Sequence, residues 1–144
     1  MHLALDLRAW YNVFAMKDNN SKVVYFCKYH VVWCPKYRRK VLTDGIDERL
    51  KELIADACSD IDVEILEMDV QPDSVHLLLD VSPKCGINHA VRHIKGFTSR
   101  ALREEFPALK SRLPTLWTLS YFVATVGDVQ ADAIAKYIEA QKHV

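Results

Sequence analysis

The sequence has no net charge, its 19 Lys and Arg being matched by 19 Asp and Glu. That balance excludes a protein coated in basic charge, while leaving room for a local basic patch. No two of the four cysteines, Cys27, Cys34, Cys58 and Cys85, make a C-x-x-C pair. A zinc knuckle is thereby disfavoured, and reduced thiols serving as small core residues are expected. No run reaches the roughly 18 apolar residues of a membrane span. The opening "MHLALDLRAWYNVF" lacks a basic start followed by a long apolar block, so no signal peptide and a cytoplasmic location are expected. Repeats, linkers and low-complexity tracts are missing as well. What remains is a chain of 144 residues, half of them hydrophobic, which suits a single core.

The pattern turns regular after the first 20 or so residues. Residues 1–21 form an extension without an interpretable motif, and residues 22–144 form one domain. "SKVVYFCKYHVVWCPKYRRK" is rich in β-branched and aromatic residues and predicts a long strand ending near Pro35. In "TDGIDERLKELIADAC", Ile46, Leu50, Leu53, Ile54 and Ala57 recur at helical spacing, with Thr43 or Asp44 as the expected cap. "DVEILEMDV" alternates, with Leu66, Met68 and Val70 on one face. "QPD" then supplies turn chemistry, and "SVHLLLDV" is the return strand of a hairpin. A second helix spans about Ile87 to Phe106, with Ile87, Ala90, Val91, Ile94, Phe97 and Ala101 inward. "LWTLSYFVATV" predicts a fourth strand. A final short helix follows Gly127, opened by Asp128, with Ala131, Ile134, Ala135 and Ile138 inward. The order β-α-β-β-α-β-α predicts an α+β, ferredoxin-like sandwich: an antiparallel sheet with helices on one face and a trailing helix.

The return strand separates two faces. Val75, Leu77, Leu79 and Val81 are wholly apolar and belong under the helices; Ser74, His76, Leu78 and Asp80 share the other face. Strand residues two apart lie roughly 6.5 Å from each other and point the same way, so two such side chains can converge on one ion or phosphate. A lone histidine on a sheet face is more often a hydrogen-bonded structural residue. On the last helix Tyr137 and Gln141, four apart, stack on one flank. Taken singly, a packed ring and a solvated amide are the ordinary readings.

Together with the segment order, the hairpin "PDSVHLL", the upstream "YHVVWCPKYRRKVL" and the terminal "KYIEAQ" closely resemble the TnpA-type single-tyrosine HUH transposases of small bacterial and archaeal insertion sequences. The resemblance runs from about Lys22 to Gln141. It implies a homodimer that cuts and rejoins single-stranded DNA at hairpin-bearing element ends through a 5′-phosphotyrosine intermediate. By this resemblance Tyr137 is the nucleophile, and His76 and Gln141 are ligands of a divalent ion, Mg²⁺ or Mn²⁺. Each active site would combine Tyr137 of one chain with the histidine of the other. The final helix agrees with a dimer, because its stripe of small apolar residues needs a partner surface. Tyr121 and Tyr29 are the other candidate nucleophiles.

One position departs from the pattern. Where the family has histidine two residues before His76, this chain has Ser74. A neutral hydroxyl is a poor ligand, so cleavage is expected to be impaired. Three accounts stand side by side: an engineered change, decay in a domesticated copy that still binds hairpin DNA, or recruitment of Asp80 or Asp73. The intact surroundings favour a deliberate or recent single change. The alternative function is accordingly a catalytically inactive hairpin-binding protein of the same fold; a ferredoxin-like sensor of a small molecule leaves "KYIEAQ" unexplained.

The run "KYRRK" follows a strand carrying Trp33, with Tyr37 interleaved. Lys36, Tyr37, Arg38, Arg39 and Lys40 are therefore candidate contacts for phosphates and unstacked bases. Arg92 and Lys95, with Arg100 and Arg103, extend this surface along the second helix. His89 and His93, also four apart, are expected to be exposed helix residues rather than a zinc site.

Overall fold

The computed structural model describes residue 25, residues 27–126 and residues 131–144, with side chains in the last segment from Ala135 onward. The expected extension, residues 1–21, and the helix-opening Asp128 lie outside the described residues. Four strands, β1 (Lys28–Trp33), β2 (Glu64–Gln71), β3 (Ser74–Asp80) and β4 (Phe122–Thr125), form one sheet in the order β2-β3-β1-β4, every neighbour antiparallel. Helices α1 (Ile46–Asp60) and α2 (Ile87–Glu105) connect them, a short α3 (Pro107–Arg112) follows α2, and α4 (Ala131–Ala140) trails the sheet. This is the expected ferredoxin-like α+β order.

The core lies between the sheet and α1 and α2. Val75, Leu77 and Leu79 point into it from β3, with Val81 just after, as their alternation requires, and Val31 and Trp33 join them from β1. From the helices come Leu50, Leu53, Ile54 and Ala57, then Ala90, Val91, Ile94, Thr98 and Leu102. Thr98 and Leu102 extend the α2 stripe beyond the predicted one. The Thr98 hydroxyl is buried because it has partners: it donates to the Ile94 carbonyl at 2.8 Å and accepts from Trp117 Nε1 at 3.1 Å. Trp117 in turn meets Trp33 edge to face, with ring centroids 5.8 Å apart.

Four local expectations change. Leu66 is not a core residue: a bulge between Ile65 and Glu67 shifts the alternation, so Ile65, with Met68 and Val70, packs against the core. Neither Thr43 nor Asp44 caps α1. Asp44 adopts a left-handed backbone (φ 56°) and accepts a bond from the Thr43 hydroxyl, which leaves Gly45, at φ 93°, in the cap position. The fourth strand is only Phe122–Thr125. The stretch before it runs beside the end of β1 through a Pro35–Trp117 bridge and a bond from Thr118 N to the Cys34 carbonyl, and α3 precedes it with Pro107 at its first turn. On α4, Ala135 is exposed, while Ile138 is half-buried.

Truncating Ile94, fully enclosed between α2 and the sheet, should remove about 2–5 kcal/mol of stability in urea denaturation of Ile94→Ala. Leu119→Ala, at a side chain 95% exposed, should leave the midpoint unchanged.

Candidate active site

The side of the sheet away from α1 and α2 carries the polar residues. Paired strand residues share a face, so the register Asp69–His76–Val32–Phe122 sets one row across all four strands on this open side. His76 Nε2 lies 3.0 Å from the hydroxyl oxygen of Ser74, which is itself buried. Ser74 therefore holds the imidazole by a hydrogen bond. Burial lowers the His76 pKa, against the pull of Asp69 and Asp73. Beside His76 a cavity of about 460 Å³ is lined by His30, Glu67 and Asp69 among others. Of the two carboxylates considered for recruitment, Asp73 is engaged by Arg38, and Asp80 is buried at the other end of β3. The carboxylate directly across from His76 is Asp69, which the hairpin's two-residue turn, pairing Gln71 with Ser74, would have indicated.

Helix α4 brings Tyr137 to the same side of the sheet. Its ring lies 5.9 Å from that of Phe122, the residue that ends the row through His76. The Tyr137 hydroxyl is 3.1 Å from Ser120 Oγ. Ser120 Oγ also donates to Gln141 Oε1 at 3.1 Å, and Gln141 Nε2 donates to the Tyr137 carbonyl at 3.0 Å. Burial raises the Tyr137 pKa, and hydroxyl contacts from Ser120 and Thr118 oppose that rise. Thr118 and Ser120 carry no signal in the sequence: they precede a short strand, 17 or more positions from Tyr137, at no periodic spacing.

Tyr137 and Gln141 thus form one hydrogen-bonded group and Ser74 and His76 another. Arg38 joins the elements that carry them. It donates to Asp73, in the β2–β3 turn next to Ser74, at 2.9 Å, and to Glu139, on α4 between Tyr137 and Gln141, at 3.2 Å. Tyr37 and Arg38 both take left-handed backbones (φ 59° and 51°), a local strain offset by bonds from Arg38 N to Pro35 and from Tyr37 N to the Val144 carbonyl. The turn aims Arg38 inward and leaves Arg39 and Lys40 exposed.

The basic candidates therefore divide. Arg39 and Lys40 line a cavity of about 420 Å³ with Arg112, and a wider groove of about 670 Å³ with Tyr37, Lys142 and His143. Lys36 lies against the Tyr37 ring, its ammonium 5.2 Å from the centroid. On α2, Arg92 is exposed, whereas Lys95 is half-buried and donates to the carbonyls of Thr118 (2.6 Å) and Ser120 (2.9 Å). His89 and His93 stack at 6.5 Å, and His93 Nε2 lies 3.6 Å from Asp60 at the end of α1.

For a divalent ion the donor set is incomplete. His76 Nε2 and Gln141 Oε1 are neutral donors already hydrogen-bonded, and among the described residues no three His, Cys, Asp or Glu side chains gather as ligands. Such ions are held by several converging oxygen or nitrogen donors, which this arrangement does not supply.

Residues 23–141 match the family described as IS200-like transposases. The chain is 38% identical over 120 residues to the ISDra2 transposase TnpA of Deinococcus radiodurans, covering 82% of this chain and 86% of that protein. It is 34% identical over 117 residues to the transposase for insertion sequence IS200 of Salmonella typhimurium, covering 80% and 76%. Among solved structures, a Deinococcus radiodurans chain assigned as a transposase superposes with a TM-score of 0.81 at 36% identity, over 90% of this chain and all of that one. A REP-associated tyrosine transposase bound to a REP hairpin shares the fold, with a TM-score of 0.54 and 14% identity over 86% and 69% of the two chains.

Two titrations follow from this geometry. Burial brings the Lys95 pKa down to about 8, from an ordinary 10.5. Between those two values the unfolded chain binds more protons than the folded one, so stability should rise with pH from about 8 upward. In urea midpoints measured from pH 7.5 to 9.5, Lys95→Met should flatten that rise. Burial also pushes the Cys34 and Cys58 thiols up to about 11 and 12. At pH 8 a thiol reagent should label the more accessible Cys27 and Cys85 and reach Cys34 and Cys58 only after denaturation.

Proposed function

The chain belongs to the IS200-like transposase family, and on that footing we propose that it acts on single-stranded DNA hairpins with Tyr137 as the nucleophile. The observation that carries this reading is the placement of Tyr137. Its hydroxyl is held by Ser120, which also binds Gln141, one helical turn further on. In the reaction the phenol oxygen forms a bond to the scissile phosphorus as the P–O3′ bond breaks. The phenol proton is released, the departing 3′-oxygen gains one, and DNA stays attached as a 5′-phosphotyrosine. The covalent link conserves the phosphodiester, so rejoining needs no nucleotide cofactor. An unperturbed phenol titrates near ~10, so only about a thousandth is ionised at neutral pH. Such a nucleophile depends on charge stabilisation at the phosphate, the service a divalent ion gives in this chemistry. His76 and Gln141 are the residues that would hold Mg²⁺ or Mn²⁺. With Ser74 beside them the set falls short.

Single-stranded DNA would lie along the exposed Arg39 and Lys40, with Lys36 and Tyr37 at one edge, where phosphate and base-stacking contacts adjoin. Arg38 supports this surface from below through its two ion pairs. Arg92 offers a charge on the flank of α2, and Lys95 fixes the loop above it. The working unit is proposed to be a homodimer, acting in the cytoplasm, in which Tyr137 is paired with His76 of the partner subunit. Among the described residues no helix is long and apolar enough to cross a membrane. A second reading, hairpin binding without cleavage, is favoured by one observation, the Ser74 hydroxyl occupying His76 Nε2.

A denaturing gel with labelled hairpin DNA separates the readings. The chain as it stands should retard the hairpin in a native gel and form little or no covalent adduct with Mg²⁺, with a trace at most in Mn²⁺. Ser74→His should gain the adduct, and adding Tyr137→Phe should abolish it without weakening binding. An adduct that survives Tyr137→Phe would remove Tyr137 from the role. If Ser74→His yields none on any hairpin tried, including those flanking the gene, only the binding function remains. Light scattering at micromolar concentration should give twice the monomer mass.

A further inference from the structure

Between α3 and β4 the segment Thr118–Leu119–Ser120 is gripped from several sides, although it belongs to no helix or strand. Lys95 holds the carbonyls of Thr118 and Ser120, Thr118 N donates to the Cys34 carbonyl at 3.1 Å, and the Thr118 hydroxyl reaches the Ser120 carbonyl at 3.4 Å. Leu119, between the two tethered residues, projects almost fully into solvent. The effect is to hold the Ser120 hydroxyl still at the one place where it reaches both Tyr137 and Gln141, each at 3.1 Å.

The direction of these bonds follows from counting protons. The Tyr137 carbonyl can only accept, so it fixes Gln141 with Nε2 toward it and Oε1 toward Ser120. Oε1 can only accept, so it takes the single Ser120 proton. With the Thr118 hydroxyl, the other contact of the phenol, turned to the Ser120 carbonyl, Ser120 Oγ is left to accept from the Tyr137 hydroxyl. The result is a closed circuit: phenol to serine, serine to amide oxygen, amide nitrogen back to the tyrosine carbonyl. It fixes the phenol and the amide together, four residues apart on the chain.

We propose that Ser120 is a positioning residue for the Tyr137 reaction, setting the direction of the phenol hydroxyl and the Gln141 amide with one shared hydroxyl. The proposal rests on Tyr137 being the nucleophile. It also means that the two partners compete. Ser120 has one proton, and when Gln141 Oε1 is drawn to another partner that proton is free to turn toward the tyrosine oxygen. Engaging Gln141 and rewiring Tyr137 are thus one event, by rotation of a hydroxyl and without transfer of a proton to or from serine. Ser120 is exposed and contributes nothing apolar to the core, so its truncation spares the fold.

The test has two arms. In the first, Ser120→Ala and Ser120→Thr are placed in the Ser74→His chain, and adduct formation on labelled hairpin DNA is followed in single turnover. Ser120→Ala should lower the rate at saturating DNA by about tenfold with half-saturation unchanged, the scale of one lost hydrogen bond. Ser120→Thr, which keeps the hydroxyl, should stay within about threefold. In the second arm, the chain as it stands, in chelator and without DNA, carries ring-labelled tyrosine, with the Tyr137 resonance assigned by its loss in Tyr137→Phe. Ser120→Ala should shift that resonance, and Ser120→Thr should leave it near its original position. An unchanged rate or an unmoved resonance in Ser120→Ala overturns the proposal. If the Ser74→His parent forms no adduct, the nucleophile assignment fails instead, and the resonance still reports whether Ser120 holds Tyr137.

Discussion

β1 and β3 are paired so that Val31 and Trp33 stand beside Leu77 and Val75 on one face, with Val32 beside His76 on the other. That pairing is the constraint on which the remainder depends. With a side-chain period of two, a slip of one residue would send His76 under the helices and Leu77 into solvent. The apolar face of β3 is complete over Val75, Leu77 and Leu79 and continues at Val81, so the hydrophobic effect itself fixes the register. Once it is fixed, Asp69, His76, Val32 and Phe122 must form a row, because each is the cross-strand partner of the next. The polar face is thus specified by the packing of the opposite one.

Around the end of β1 three segments converge that no local rule would bring together. The left-handed turn at Tyr37 and Arg38 leaves the strand after Pro35, the stretch at Trp117–Ser120 runs back along it, and the turn after α4 closes over both. Cys34, buried at the centre, gives its carbonyl to Thr118 and keeps its thiol protonated through burial. Three polar side chains here are each held by two partners. Arg38 has two carboxylates, Lys95 two carbonyls and Gln141 a hydroxyl and a carbonyl. Each pair joins two segments, so the site is set by shared hydrogen bonds more than by shared apolar surface.

The sequence was legible where periodicity governs. The apolar faces of β3 and α2, the hairpin turn and the order of elements all follow from spacing, because burial selects residues at the period of the element. Legibility failed where the backbone departs from a regular period. The bulge at Leu66 exchanges it for Ile65, and the left-handed Asp44 turns the expected cap away from α1. The tethered stretch before Phe122 reads as strand because Trp117, Thr118 and Tyr121 are residues that strands favour, yet its hydrogen bonds go to β1 and Lys95 instead of a full ladder. Among the candidate residues, Tyr137, His76 and Gln141 stood out through their motifs. Ser120 and Asp69 did not, since their relevance arises only from what lies across from them in space. Arg38 was legible as a charge but not as a staple, because its two partners are 35 and 101 residues away.

Those separations also bear on the order in which the molecule assembles. The hairpin of β2 and β3 and the packing of α1 on α2 close short or moderate loops and are repaid at once by buried apolar surface. The bond from Arg38 to Glu139 closes a loop of 101 residues for an exposed ion pair, which returns little on its own. Docking of α4 therefore belongs late in folding, after the sheet has presented Phe122, Ser120 and Arg38 in their final positions. By the same reasoning its loss costs less than opening the core. Were the helix carrying the tyrosine to leave, the core would stay closed, so the assembled site rests on a smaller free energy than the fold does.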